Sequence, residues 1–398
     1  VTDAAKGAQP RLDRLGAYPF ERLKSLFAGH RPNPQLLHID AGAGEPRLPL
    51  PPFTAEVLNR NLAGFSKYPA TRGGDLLCVA IADWLRRRYG LVQIDPQRHV
   101  LTANGTREAL FGIAHALVNP EAAAKPWVAM PNPMYQIYLG AAITAGAEPW
   151  LLPCEATTGF APDFAAVPDS VWAETAFVYL CSPSNPTGWV ATRDDYRQLI
   201  ELADRFDFVI VADECYSEIY RDEPPVGLLQ VAEEMGRRDY RRCIGMNSLS
   251  KRSALPGLRS GLIAGDGELI ARFAKLRSYM GPATPNPLQA VAAAAWSDEA
   301  HVAANLAIYR DSLAAFFAEY GEGAPPAGSF FVWLPVADDE AFALAAYTQQ
   351  AVTILPGSYL AADDANGHNP GRRYVRAALI DGVEKARELA ARLKKVRV

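Results

Sequence analysis

Hydrophobic and polar positions along this chain switch between two periods. Leu76, Leu77, Val79, Ala80, Ile81, Trp84 and Leu85 recur at helical spacing, as do Tyr196, Leu199, Ile200, Ala203 and Phe206, so each group predicts a buried helix face. Between them lie apolar runs too short for helices: Trp127 to Met130, Phe177 to Cys181, Phe208 to Ala212 and Cys243 to Met246. Each run is closed by Pro, Asn, Asp or Ser, which suits strands buried on both faces of a mostly parallel sheet. After Pro287 the texture becomes Ala-rich and helical, over Leu288 to Trp296 and His301 to Tyr320. Strand-like Phe330 to Leu334 and Tyr374 to Leu379 follow, then a basic amphipathic helix, Val383 to Val396. The first 35 residues are polar with scattered anchors such as Leu12, Tyr18 and Phe20, which predicts an arm containing a short helix.

The fold class that follows is α/β: a large domain with a mostly parallel central sheet, plus a small α+β domain. The expected division is an arm over residues 1–35, a contribution of 36–60 to the small domain, a large domain over 61–287 and the small domain over 288–398. A chain of 398 residues has ample length for both. With 49% hydrophobic and 21% charged residues, the composition is that of an ordinary globular enzyme and excludes a disordered or fibrous chain. No tract reaches the ~18 uninterrupted apolar residues of a spanning helix. The net charge of −4 provides no field to recruit nucleic acid or an anionic membrane, so small molecules are the expected partners. Five cysteines, odd in number and never in a C-x-x-C pair, predict buried reduced thiols and no metal site. Val1 to Pro10 lacks the charged-then-apolar pattern of a signal peptide, which gives a cytoplasmic expectation. Only nine residues are lysine, so lysine-dependent chemistry has few candidates.

In open α/β sheets ligands collect at the carboxyl ends of the strands. Four turns stand out there. Phe177 to Cys181 leads into Ser182-Pro183-Ser184-Asn185-Pro186-Thr187-Gly188, and Phe208 to Ala212 ends in Asp213-Glu214-Cys215-Tyr216. Cys243 to Met246 runs into Asn247-Ser248-Leu249-Ser250-Lys251, with Arg259 eight residues on. Asn104-Gly105-Thr106-Arg107 precedes an apolar helix, whose first backbone N–H groups can meet an anion. Together these are the parts of a site for an electron-withdrawing, phosphorylated ring. Asp213 can hold a pyridine nitrogen protonated. Lys251 can form an imine. Arg259, Ser248 and the Gly105 turn can bind a phosphate. Pyridoxal phosphate needs this combination.

The blocks Ser182 to Gly188, Asp213 to Tyr216 and Ser248 through Lys251 to Arg259 resemble the signatures of class I/II aminotransferases of fold type I, in order and spacing, along nearly the whole chain. The resemblance implies that Lys251 is the Schiff-base lysine and proton shuttle and that Asp213 pairs with the pyridine nitrogen. It implies that Tyr216 and Asn185 bind the ring oxygen and that Tyr135 stacks on the ring. Gly105, Thr106, Arg107, Ser248 and Arg259 would hold the phosphate, with Tyr68 reaching the phosphate of the partner subunit in a homodimer. Arg376, in Tyr374-Val375-Arg376, matches the clamp for the substrate α-carboxylate, helped by the backbone at Gly44. A narrower likeness, carried by Leu249-Ser250-Lys251-Arg252-Ser253 and Pro256-Gly257-Leu258-Arg259-Ser260-Gly261, is to the proteobacterial N-succinyldiaminopimelate aminotransferases of lysine biosynthesis. Asn369-Pro370-Gly371 points the same way.

Taken singly, these residues have ordinary explanations: Asn-Pro-Thr-Gly is turn chemistry and a lysine between serines is commonly a surface residue. Their conjunction at strand ends is what carries the reading. Gly42-Ala43-Gly44 begins like a dinucleotide fingerprint, but the third glycine is missing and Pro46 blocks the helix that motif requires. No P-loop, zincin or hydrolase-elbow motif is present.

The expected activity is ping-pong transamination between glutamate/2-oxoglutarate and an N-succinylated amino/keto acid. The alternatives are another class I reaction (aspartate, alanine or aromatic aminotransferase, or C–S lyase), a cofactor-binding regulator without catalysis, and a structural scaffold. A substrate with a distal carboxylate demands a second cation, and Arg11, Arg14, Arg72 and Arg277 are the candidates.

Overall fold

The computed structural model describes residues 10–122 and 126–398. Strand β1 (Ile39–Asp40) belongs to the smaller half of the molecule. The next seven, β2 (Val100–Ala103), β3 (Trp127–Asn132), β4 (Glu148–Pro153), β5 (Thr175–Cys181), β6 (Val209–Asp213), β7 (Cys243–Ser248) and β8 (Gly261–Gly265), form one sheet in the order β2-β8-β7-β6-β5-β3-β4. From β4 to β7 the neighbours are parallel, and β8 is antiparallel to both β7 and β2.

The four apolar runs fall on β3, β5, β6 and β7. Their continuity reflects burial on both faces. Val178 and Leu180 of β5 enter one core with Trp84, Leu199 and Leu228, while Phe177 and Tyr179 enter the other with Leu110 and Tyr138. β2, β4 and β8 were not anticipated as strands. β4 carries Pro149 and Pro153, tolerated because it is an edge strand, and β8 begins and ends on glycine.

The smaller half has an antiparallel sheet of β9 (Phe331–Pro335), β11 (Leu355–Pro356) and β12 (Tyr374–Ala378), with β12 central, while β1 pairs in parallel with β10 (Val352–Thr353). Ile39 and Ala41 thus share a core with Leu313, Phe316, Val332, Val375 and Leu389. Helix Asn286–Ser297 contributes Ala292, Ala295 and Trp296 to the core against the large sheet. The following helix, Ala300–Tyr320, reaches from that point to the smaller core.

The helix Asp75–Tyr89 corrects one expectation. Leu77, Ala80, Ile81, Trp84 and Leu85 are buried, but Leu76 and Val79 are 84% and 42% exposed. Those two stand on a second stripe that faces away from the sheet, the same kind of surface as exposed Leu62, Phe65, Tyr68 and Tyr279. The five cysteines are all buried and free. Among the described residues no helix is long and apolar enough to cross a membrane.

Candidate active site

The carboxyl ends of β5, β6 and β7 open on a cavity of about 470 Å³, closed on the other side by β9, β12 and the N-terminal arm. Strand direction explains the convergence: parallel β5 to β7 deliver Asn185, Asp213 and Lys251 to one sheet edge.

Lys251 is the third residue of the short helix Leu249–Arg252, which starts where Ser248 Oγ accepts the Ser250 N–H at 3.1 Å. Its ammonium donates to the carbonyl of Gly44 and lies 5.6 Å from the Phe330 ring centroid. Enclosure pushes the Lys251 pKa down to about 8 and Arg376 adds to the fall, against the opposing pull of Cys215, Glu45 and Asp213. An amine in that range can exchange its proton near neutrality.

Asp213 closes β6 and is buried. Its Oδ2 accepts from the Tyr138 hydroxyl at 2.8 Å and its Oδ1 from the Cys215 N–H at 3.3 Å. Burial pushes the carboxyl up, and the Cys215 thiol, the Tyr138 hydroxyl and Lys251 pull it back. Tyr216 lines the adjoining wall with its ring edge-on to Phe330 at 5.5 Å.

Arg376, in the middle of β12, donates to Asn185 Oδ1 at 2.8 Å and to the Gly42 carbonyl at 2.7 Å, with Phe331 4.3 Å beneath its guanidinium. Burial lowers its pKa to about 10. Its Nε is buried without a hydrogen-bond partner. The backbone bond to Arg376 thus comes from Gly42, while Gly44 serves Lys251. A Cβ on Gly44 would come within 2.7 Å of Phe331.

At the opposite end, Gly105 at φ +82° turns the chain from β2 into helix Thr106–Leu117. A Cβ there would run into the Arg259 guanidinium. Arg259 is anchored by the carbonyls of Asn104 at 2.9 Å and Pro256 at 3.0 Å. Ser248 Oγ contacts Ser250 Oγ at 3.0 Å, and Thr106 Oγ1 lies 2.9 Å from Cys215 Sγ. Arg107 behaves differently: its guanidinium turns away to Tyr135, donating to that hydroxyl at 2.8 Å and to the Tyr18 hydroxyl at 3.3 Å. Tyr135 lines the wall and sets its ring edge-on to Tyr138 at 5.8 Å.

Tyr68 is 99% exposed and does not line the cavity. None of the four candidate distal cations lines it either. Arg14 pairs with Glu148, Arg277 with Glu108, Arg72 donates to the carbonyls of Gln97 and Val100, and Arg11 lies against Gly146. Among the described lysines only Lys251 lines the cavity, while Lys6 and Lys125 lie outside the described residues. Sequence reasoning missed Tyr18, Glu45, Cys215, Ser250, Leu355 and Leu360 in the lining and Tyr138 behind Asp213. Ser250 and Cys215 sit within motifs already singled out; the others carry no local signal.

The sequence model described as "Aminotransferase class I and II" matches residues 38–388. An LL-diaminopimelate aminotransferase of Moorella thermoacetica is 30% identical over 400 residues, covering 97% of each chain. Among solved structures, an aminotransferase of Neisseria meningitidis superposes with a TM-score of 0.91 at 38% identity, over 96% of this chain and 98% of that one. An aminotransferase of Helicobacter pylori gives 0.89 at 32% identity, again over 96% and 98%.

Proposed function

The chain belongs to the class I and II aminotransferases, a pyridoxal-phosphate-dependent family, and from that premise we propose that it moves an amino group between glutamate/2-oxoglutarate and an amino/keto acid bearing a distal carboxylate, foremost N-succinyl-L,L-2,6-diaminopimelate. The cavity fits the cofactor by its own features: an enclosed amine with a lowered pKa, a buried carboxylate across from it, and a glycine cradle under an arginine. Lys251 would hold the aldehyde carbon and Asp213 the ring nitrogen, with Tyr135 over the ring and Tyr216 and Asn185 toward its oxygen. The Gly105–Thr106 helix start, Ser248 and Arg259 would hold the phosphate. Bound there, the cofactor supplies an electron sink for the pair left at the substrate Cα. Lys251, uncharged in part near neutral pH once it is released from the cofactor, would take the substrate Cα proton and deliver it to the cofactor's C4′ carbon. Arg376 would align the α-carboxylate. Tyr18 and Phe20 of the arm narrow the mouth against water.

The observation that carries the substrate class is a charge imbalance. Arg376, Arg259 and Arg107 all line the cavity, and among the described residues none is ion-paired; the lining carboxylates are Asp213 and Glu45. Arg259 would take the cofactor phosphate and Arg376 the α-carboxylate. Arg107 remains for a distal carboxylate, in place of the phosphate role its sequence position suggested. A second reading, unacylated diaminopimelate, is favoured by Glu45, whose carboxylate suits a distal ammonium, and by the kind of relative found in Moorella.

Donor profiling with 2-oxoglutarate as common acceptor tests this. Turnover of N-succinyldiaminopimelate above LL-diaminopimelate, aspartate, alanine and phenylalanine is expected; preference for LL-diaminopimelate selects the second reading, and preference for alanine or phenylalanine overturns both. We further assign a homodimer that buries Leu62, Phe65, Tyr68, Leu76 and Tyr279. Light scattering that finds a fully active monomer would remove it.

A further inference from the structure

The two residues that follow Lys251 do not line the cavity, yet Arg252 and Ser253 are 1% and 0% exposed. Ser253 Oγ accepts from Arg252 Nη1 at 3.2 Å and lies 2.8 Å from His301 Nε2, while His301 Nδ1 lies 2.5 Å from Asp298 Oδ2. The Asp298 carboxylate only accepts, so Nδ1 carries the ring proton. With the imidazole neutral, Nε2 is left to accept from the Ser253 hydroxyl. The order of groups is that of a hydrolase triad, but this hydroxyl has both its donor and an acceptor site committed and opens on no cavity. Nucleophilic work is therefore excluded.

The chain of bonds instead connects elements. Asp298 is the first residue beyond helix Asn286–Ser297, and His301 is the second residue of Ala300–Tyr320. Arg252 reinforces the link, donating to the Ala295 carbonyl at 2.7 Å and to Glu299 Oε1 at 2.8 Å, with its guanidinium 5.2 Å from the Trp296 ring and 5.6 Å from the Trp84 ring. Asn305 Nδ2 closes it on the Arg252 carbonyl at 3.4 Å. The same helix carries Leu313 and Phe316 into the smaller core.

We propose that His301 is a positioning residue for Lys251: the Asp298–His301–Ser253 chain clamps the Lys251 helix to the start of Ala300–Tyr320, so that the amine and the smaller core hold one fixed relation. This rests on the reading of Lys251 given above. Six hydrogen bonds around one short helix are otherwise an expensive use of buried polar groups.

The test compares Ser253→Ala and His301→Ala with His301→Gln, whose amide offers a donor and an acceptor together. In cofactor-free protein, hydrogen exchange of the 249–255 amides is expected to rise about tenfold in the alanine variants, the equivalent of one buried hydrogen bond. In the pyridoxal-phosphate-loaded protein the midpoint of the visible-absorbance titration is expected to shift by about half a pH unit, and kcat to fall about tenfold with KM for the donor within about twofold. His301→Gln restores most of each. Alanine variants that lose thermal stability but keep wild-type exchange, midpoint and kcat reduce the clamp to packing and overturn the proposal. If His301→Ala fails to fold, Ser253→Ala, which removes one oxygen, carries the same readouts. A wild-type protein that binds pyridoxal phosphate without a lysine-dependent visible band fails the underlying reading, a result visible before any variant is made.

Discussion

The Tyr138 hydroxyl donates to Asp213 Oδ2 at 2.8 Å from a ring that stacks on Tyr179 at 4.5 Å and meets Tyr135 edge-on at 5.8 Å. One side chain thus touches both the carboxylate assigned to the pyridine nitrogen and the ring assigned to stack above it. Its own phenol is pushed well up by burial and by the Asp213 charge, so it stays a donor at every working pH.

Tyr138→Phe keeps the stack and removes the donor. The Asp213 carboxyl then loses one of the groups that hold its pKa down, and a buried bond to a charged group is worth about 1.5–3 kcal/mol. The expected result is pyridoxal phosphate affinity lower by about tenfold or more, together with a cofactor-free protein destabilised by about 1.5–3 kcal/mol, since the bond is already made there. Equilibrium dialysis of the cofactor checks it, and wild-type affinity would sink the assignment.

How far such a site is legible in sequence depends on which contacts are local. Asp213 and Lys251 follow continuous apolar runs because parallel strands buried on both faces read that way, and their ends mark the site. Tyr138 lies three residues beyond Tyr135, one helical turn, but its partner is 75 residues away and no pattern announces the pairing. Leu355 and Leu360 reach the cavity only through the antiparallel pairing of β11 with β12. Arg107 was legible as a residue at a helix start, but the direction of its side chain depends on Tyr18 in the arm and Tyr135 after β3. Leu76 and Val79 failed for the opposite reason: apolar character alone does not tell a core-facing position from an exposed one.

Lys251 gives a pH prediction for the cofactor-free protein. Its folded pKa, about 8, lies below its ordinary 10.5, so between these values the unfolded chain binds more protons and stability rises with pH. Below about 8 the cost of enclosing the charge is fully present, of order 1–3 kcal/mol after allowance for solvent screening at a partly exposed side chain. Lys251→Met is expected to melt higher than wild type at pH 7, with the gap closing between about pH 8 and 10.5. A gap that does not change with pH would falsify the enclosure argument. The same variant is expected to lose the visible band of the loaded enzyme.

Gly105→Ala tests the phosphate cradle. At φ +82° and ψ 156° the backbone occupies a region that is nearly closed to other residues, and the new Cβ collides with the Arg259 guanidinium. Backbone strain of about 1–3 kcal/mol is expected, and displacement of Arg259 lowers affinity for pyridoxal phosphate more than for pyridoxal. Equal losses for the two would place the phosphate elsewhere.

Arg107→Leu separates the distal-carboxylate role from the phosphate role. The guanidinium is held by the Tyr135 and Tyr18 hydroxyls, while that of Arg259 is held by the Asn104 carbonyl. Removing a charge-assisted contact of about 1.5–3 kcal/mol corresponds to a loss of about 10- to 100-fold in kcat/KM. That loss is expected with 2-oxoglutarate and with N-succinyldiaminopimelate, while pyruvate, which has no distal carboxylate, changes by less than about threefold. Arg107→Lys keeps the charge without the planar fork and is expected to fall between the two. Pyridoxal phosphate affinity measured on the same variants decides the rival role. If it collapses while the ratio of 2-oxoglutarate to pyruvate stays at the wild-type value, Arg107 belongs to the phosphate and the distal cation is another residue.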